Sequence, residues 1–130
     1  MDKETLVTEI RAVLDSFLPE GKDFTFAALV PVYPGLPSTS YILLLNSEWL
    51  QERSIFESIK IITERIFKTI SNPKVRQKID SVDVWQKGQS YPAGVEAIII
   101  IDDNKISRYF NYAPTLAFSG SLFSSSSLAN

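Results

Sequence analysis

Neither cysteine nor histidine occurs in the 130-residue chain. Their absence removes the commonest general acid–base, the thiol nucleophile and the usual protein ligands of zinc, copper and iron. It also removes any disulfide framework, which suits a reducing compartment and sets the expectation of a cytoplasmic protein. Excess charge of one sign is lacking too. A formal net charge of -2 exerts no global pull towards nucleic acid or an acidic membrane. Long apolar runs are missing as well. Apolar runs such as Ala27–Val32 and Ala97–Ile101 fall far short of the roughly 20 residues a membrane-spanning helix needs. Asp2, Glu4, Glu9 and Asp15 interrupt the first stretch, so no signal peptide is expected, and a soluble protein is.

What is present reads as one folded unit. Hydrophobic residues make up 45% of the chain, aromatic residues 12% and charged residues 22%, values of a globular domain rather than of a disordered segment. The length suits a single core. Beyond Arg108 no charged residue occurs and the end is rich in serine, so residues 1–114 are expected to form the domain and 115–130 a weakly ordered tail.

Leu6, Ile10, Val13, Leu14 and Phe17 recur at helical spacing behind Asp2, a candidate cap, and predict an N-terminal helix. Pro19-Glu20-Gly21 stops it, and Phe24–Val32 reads as a strand. Tyr33-Pro34-Gly35 has the residues of a type II turn, after which Tyr41–Leu45 is a second strand, expected antiparallel to the first. Ser54 and Glu57 form a capping-box pair at the start of a long helix. Its apolar stripe is Ile55, Ile59, Ile62, Ile66 and Ile70, with Phe56 and Phe67 widening the face and Glu64–Lys68 as a surface pair. Asn72-Pro73 starts a short helix expected over Pro73–Ile79. Strands follow at Val82–Val84 and Ala97–Ile101, separated by Gly88–Gly94, and a further strand is expected at Ile106–Asn111. Four successive isoleucines, Ile98–Ile101, predict a central strand covered on both faces. The fold class is thus α+β: a two-layer sandwich, its sheet mostly antiparallel with four or five strands, in the order α-β-β-α-α-β-β with a further β.

Several segments carry chemistry worth weighing. Asp102 and Asp103 end a buried strand, with Glu96, Asp80 and Asp83 nearest in sequence as further oxygen ligands for Mg²⁺. Adjacent acids point apart on an extended chain, however, and Asp102-Asp103-Asn104-Lys105 is turn chemistry. Ser71-Asn72-Pro73-Lys74 has the spacing of a serine nucleophile with a lysine one turn on, but the further motifs of such enzymes are missing and it reads as a helix boundary. No catalytic residue, metal or cofactor is therefore expected.

Pro31, Pro34 and Pro37 recur every third residue, the step of a polyproline II helix, with Gly35 interrupting the extended form. Charge is unevenly distributed: -5 over residues 1–59, +4 over 60–87 and -1 over 88–130. Lys68, Lys74, Arg76 and Lys78 in the basic segment could meet phosphates, beside Trp85 as a stacking surface; helix-dipole complementation is the plainer account. Trp49 is expected to clamp the start of the long helix. Trp85 shares the Asp83 face of an alternating strand and is expected to be exposed. The expectation for function is a non-enzymatic protein–protein interaction domain that can self-associate as a homodimer, with Tyr33, Pro34, Pro37 and Trp85 as contact residues. The alternatives are a nucleic-acid-binding module using Lys68, Lys74, Arg76 and Lys78, and a carboxylate or Mg²⁺ enzyme.

Overall fold

The computed structural model describes residues 2–86, 97–103, 105–106 and the backbone of 115–116. Helix α1 spans Lys3–Asp15, with Leu6, Ile10, Val13 and Leu14 all buried, as their spacing requires. Its first turn is closed by Asp2, whose Oδ1 accepts the Thr5 amide at 2.8 Å. A short 3₁₀ turn, Leu18–Glu20, and Gly21 at φ +75° then reverse the chain.

Strands β1 (Phe26–Pro31) and β2 (Tyr41–Asn46) pair antiparallel. A four-residue helix α2 (Glu48–Gln51), capped by Ser47, precedes α3 (Ile55–Thr69), in which Ser54 accepts the Glu57 amide. Helix α4 (Pro73–Gln77) is capped by Asn72. It ends earlier than its sequence suggests, because Ile79 opens strand β3 (Ile79–Val84) and pairs with Tyr41. Strand β4 (Ile98–Asp102) follows, and a two-residue strand β5 (Thr115–Leu116) pairs with it, at the point where the sequence suggests a tail begins. The Gly88–Gly94 connection, residues 107–111 of the expected last strand and residues 117–130 lie outside the described residues.

The sheet order is β3-β2-β1-β4-β5. It is mixed rather than mostly antiparallel: β1 is antiparallel to both neighbours, whereas β2–β3 and β4–β5 are parallel. The first parallel pair follows from the crossover through α2, α3 and α4, which returns the chain to the end of the sheet from which β2 started. The fold is a single-domain α+β arrangement with helix and strand order close to that read from the sequence.

Both faces of the sheet are buried. The helix-side core joins Ile10, Val13 and Phe17 of the N-terminal segment to Leu29, Leu43, Leu45, Ile62 and Ile66. On the other face Phe26, Ala28, Val30, Leu44 and Ile99 form a second cluster with Trp85, Ala97 and Ile106. β4 serves both, as expected: Ile98 and Ile100 join the helix side and Ile99 the other, with a bulge opposite Ala27–Ala28.

Two contacts lock the helix layer. Trp49 packs against Phe17 and Phe24 at ring separations of 5.3 and 5.6 Å, and its Nε1 donates to the Asp23 carbonyl at 2.8 Å. Arg65 of α3 reaches the end of α1. Its Nη1 donates to Ser16 O at 3.0 Å and Ser16 Oγ at 2.9 Å, its Nη2 meets Glu20 Oε2 at 2.9 Å, and its guanidinium lies 3.8 Å from the Phe17 ring centroid. Partial desolvation opposes ionisation of Glu20, but hydrogen bonds and charge from Arg65 and Lys22 outweigh it and hold the carboxyl below its ordinary value.

Helix α3 departs from expectation on its outer side. Ile62 and Ile66 are buried, and Ile70 just after the helix is too, but Phe56 and Phe67 are 78% and 62% exposed instead of widening the core face. At 100° per residue they stand opposite the buried Ser58–Ile62–Ile66 line, so no rotation of the helix can bury both sets against one sheet. Among the described residues Glu64 and Lys68 form no ion pair; those present are Lys22–Glu20 and Arg65–Glu20.

Candidate functional site

The β1–β2 connection is built from two consecutive turns. Leu36 N donates to Tyr33 O at 3.1 Å around Pro34 and Gly35, and Gly35 has φ +89°, which makes the first a type II turn. Thr39 N then donates to Leu36 O at 3.1 Å around Pro37. Each turn has proline where it presets φ. The buried Thr39 side chain ties the base of the loop: its Oγ1 accepts the Tyr33 amide at 2.9 Å and donates to Ser40 O at 2.7 Å. The three-residue proline step therefore yields a doubly turned loop in place of a polyproline II segment, with Pro31 belonging to β1.

On this frame Tyr33 and Leu36 are 59% and 53% exposed, and Pro34 and Pro37 are exposed beside them. Beneath the loop lies a cleft of about 210 Å³ between Lys3, Leu36, Thr39, Tyr41 and Ile98. Such a volume is below the roughly 300–1,000 Å³ of small-molecule pockets, so the loop offers a contact surface and not an enclosure. Leu36 is a member of this surface that the sequence reading missed. Its position between two prolines in successive turns was the available signal, since a side chain there has no strand face to bury into.

Trp85 does not join this surface. It lies on the face opposite Val82 and Val84, as the alternation implies, but that face is itself a core, and the indole is only 5% exposed. The same burial removes it as a stacking platform for a base.

The basic residues are placed unevenly. Lys68 and Lys74 are exposed, whereas Arg76 Nη1 donates to Ile70 O at 2.7 Å and Ser71 O at 3.2 Å, closing the end of α3. Lys78 Nζ lies 3.4 Å from the carbonyls of Ser38 and Thr39 and braces the β1–β2 loop. Two of the four cations thus hold backbone carbonyls. The Ser71–Lys74 spacing is a helix start, with Asn72 Oδ1 accepting the Lys74 amide at 2.9 Å.

An open groove of about 350 Å³ brings Asp15, Asp23, Asp102 and Asp103 towards one region beside Arg11. The acids do not converge: among the described residues no three carboxylates are arranged to hold a metal ion. Asp102 Oδ1 accepts the Ile106 amide at 2.6 Å, Asp103 N donates to Thr25 O at 2.8 Å, and Lys105 adopts φ +56°. The Asp102 bond belongs to a turn at the end of β4, and the Asp103 amide continues the pairing of β4 with the chain just before β1. Asp80 is exposed, Asp83 accepts the Val84 amide, and Glu96 lies outside the described residues. No helix among the described residues is long and apolar enough to cross a membrane. No protein-family model, curated protein or solved structure matches the chain.

Proposed function

We propose that this chain is a non-enzymatic, cytoplasmic protein–protein interaction domain that engages its partner through the β1–β2 loop. The observation that carries the reading is the exposure of Tyr33 and Leu36 on a double turn pinned by Thr39 and braced by Lys78. Apolar side chains held on a restricted backbone lose little further entropy on association, so their burial is retained as binding energy. Tyr33 supplies a large amphipathic contact, and Pro34 and Pro37 keep the loop from collapsing onto the sheet. The absence of cysteine and histidine supports contact over turnover and a reducing compartment over an oxidising one.

The test uses a photo-crosslinking amino acid in place of Leu36 in the full chain, expressed in its own cytoplasm, with the captured protein identified and its binding measured in purified form. Tyr33→Ser combined with Leu36→Ser is expected to weaken that binding by about a hundredfold, as for loss of two interface anchors. Unchanged affinity in the double variant refutes the loop as the contact site.

A further inference from the structure

The outer face of α3 carries Phe56, Lys60, Thr63 and Phe67 in one row, flanked on one side by Glu57, Glu64 and Lys68. Phe56 and Phe67 are the two most exposed large hydrophobic side chains among the described residues. Glu57, Lys60, Glu64 and Lys68 form no ion pair within the chain among the described residues. Exposed aromatics and uncommitted charges therefore occupy the same surface, on a different element from the β1–β2 loop.

The order of these residues is self-complementary under reversal. Read from the N-terminal end the face presents Phe56 with Glu57, then Lys60, then Glu64, then Phe67 with Lys68. Read from the other end each phenylalanine falls on a phenylalanine and each charge on its opposite. An antiparallel pair of helices brings like flanks together, so this pattern matches a copy of itself turned end for end.

We propose that the outer face of α3 is a homodimer interface in which two copies pack antiparallel about a two-fold axis near residue 62. Phe56 then meets Phe67 of the second copy, Glu57 meets Lys68 of the second copy, and Lys60 meets Glu64 of the second copy. The two-fold repeats each contact, as a closed isologous interface demands. The facing row is about 16 Å long at 1.5 Å per residue. Two such faces bury no more than the lower end of the range for stable interfaces, about 1,200 Å². The dimer is accordingly a micromolar, exchanging one. The inference is independent of what the β1–β2 loop binds.

Sedimentation velocity of the full chain from about 1 to about 500 µM is expected to show a monomer–dimer equilibrium within that window. Phe67→Asp is expected to weaken it at least about tenfold. Lys60→Glu is expected to weaken it, and Lys60→Glu with Glu64→Lys to restore it, a rescue that unspecific apolar stickiness does not give. The natural lack of cysteine permits a direct test of direction. Thr63→Cys places two thiols within a few ångströms along the helix axes and is expected to oxidise to a covalent dimer, whereas Phe56→Cys places them about 18 Å apart and is not. A monomer throughout the range, a dimer indifferent to Phe67→Asp and Lys60→Glu, or equal cross-linking by Thr63→Cys and Phe56→Cys would each overturn the proposal. Circular dichroism of each variant separates a lost interface from a lost fold.

Discussion

Replacing Arg65 tests how the helix layer is held together. Its guanidinium makes two charge-assisted bonds to Ser16 and lies against the Phe17 ring at the end of α1. A hydrogen bond from a charged donor contributes about 1.5–3 kcal/mol and a partly desolvated cation–π contact about 0.5–2 kcal/mol. These contributions overlap because one rigid group makes all of them, and the half-exposed Glu20 adds little. Arg65→Met keeps the apolar stem and removes the fork, so the expected loss is about 2–3 kcal/mol of unfolding free energy. For a domain of this size that lowers the melting temperature by roughly 6–15 °C. Arg65→Lys is expected to recover less than half of the loss, because an ammonium cannot serve both Ser16 oxygens and stack on Phe17 at once. Urea unfolding followed by Trp49 and Trp85 fluorescence measures both variants. A loss below about 0.5 kcal/mol in Arg65→Met, or full recovery in Arg65→Lys, would refute the clamp.

Three further outcomes follow from the same contacts. Gly35→Ala meets no atom within 4 Å of the new methyl, so its cost comes from φ +89° alone and is expected to be about 1 kcal/mol by chemical denaturation; an unchanged midpoint would contradict the type II turn. Ser58→Ala removes a buried hydroxyl that donates to Leu50 O at 3.0 Å and joins α2 to α3, and a loss of about 1–2 kcal/mol is expected in thermal unfolding. Glu20 has a folded-state pKa lowered from its ordinary 4.5, so its contribution is complete above that value and disappears as pH falls through the lowered one. The stability difference between the natural chain and Glu20→Gln should therefore persist at pH 7 and close on acidification below about pH 4.5; a difference independent of pH would exclude the ion pair as its source.

The candidate surfaces were only partly legible in the chain. Tyr33, Pro34 and Pro37 could be placed on an exposed loop because turn chemistry is local: proline and glycine set their own dihedral angles whatever surrounds them. Trp85 could be assigned its face from the alternation of β3, but not its burial, which depends on a second apolar cluster assembled from β1, β2 and β4. Arg76 and Lys78 look like free cations in sequence and become structural once Ile70, Ser38 and Thr39 present carbonyls to them. Phe56 and Phe67 count as hydrophobic in any periodicity, and only their angle relative to Ile62 and Ile66 shows that they face away.

By itself the chain determined the elements whose causes lie within a few residues: α1 through Asp2 and its apolar spacing, α3 through Ser54, α4 through Asn72-Pro73, and β1, β2 and β4 through their apolar runs. Short-range sterics, capping bonds and side-chain period act before distant segments meet. Tertiary structure alone decided that β3 runs parallel to β2, that Trp85, Ala97 and Ile106 join the core on the second face of the sheet, that Arg65 fastens α1, and that Phe56 and Phe67 stay exposed on one side of α3. Each of those depends on which surfaces meet across long stretches of chain, and pairing across such distances is set by how a limited apolar area is shared among all the elements at once.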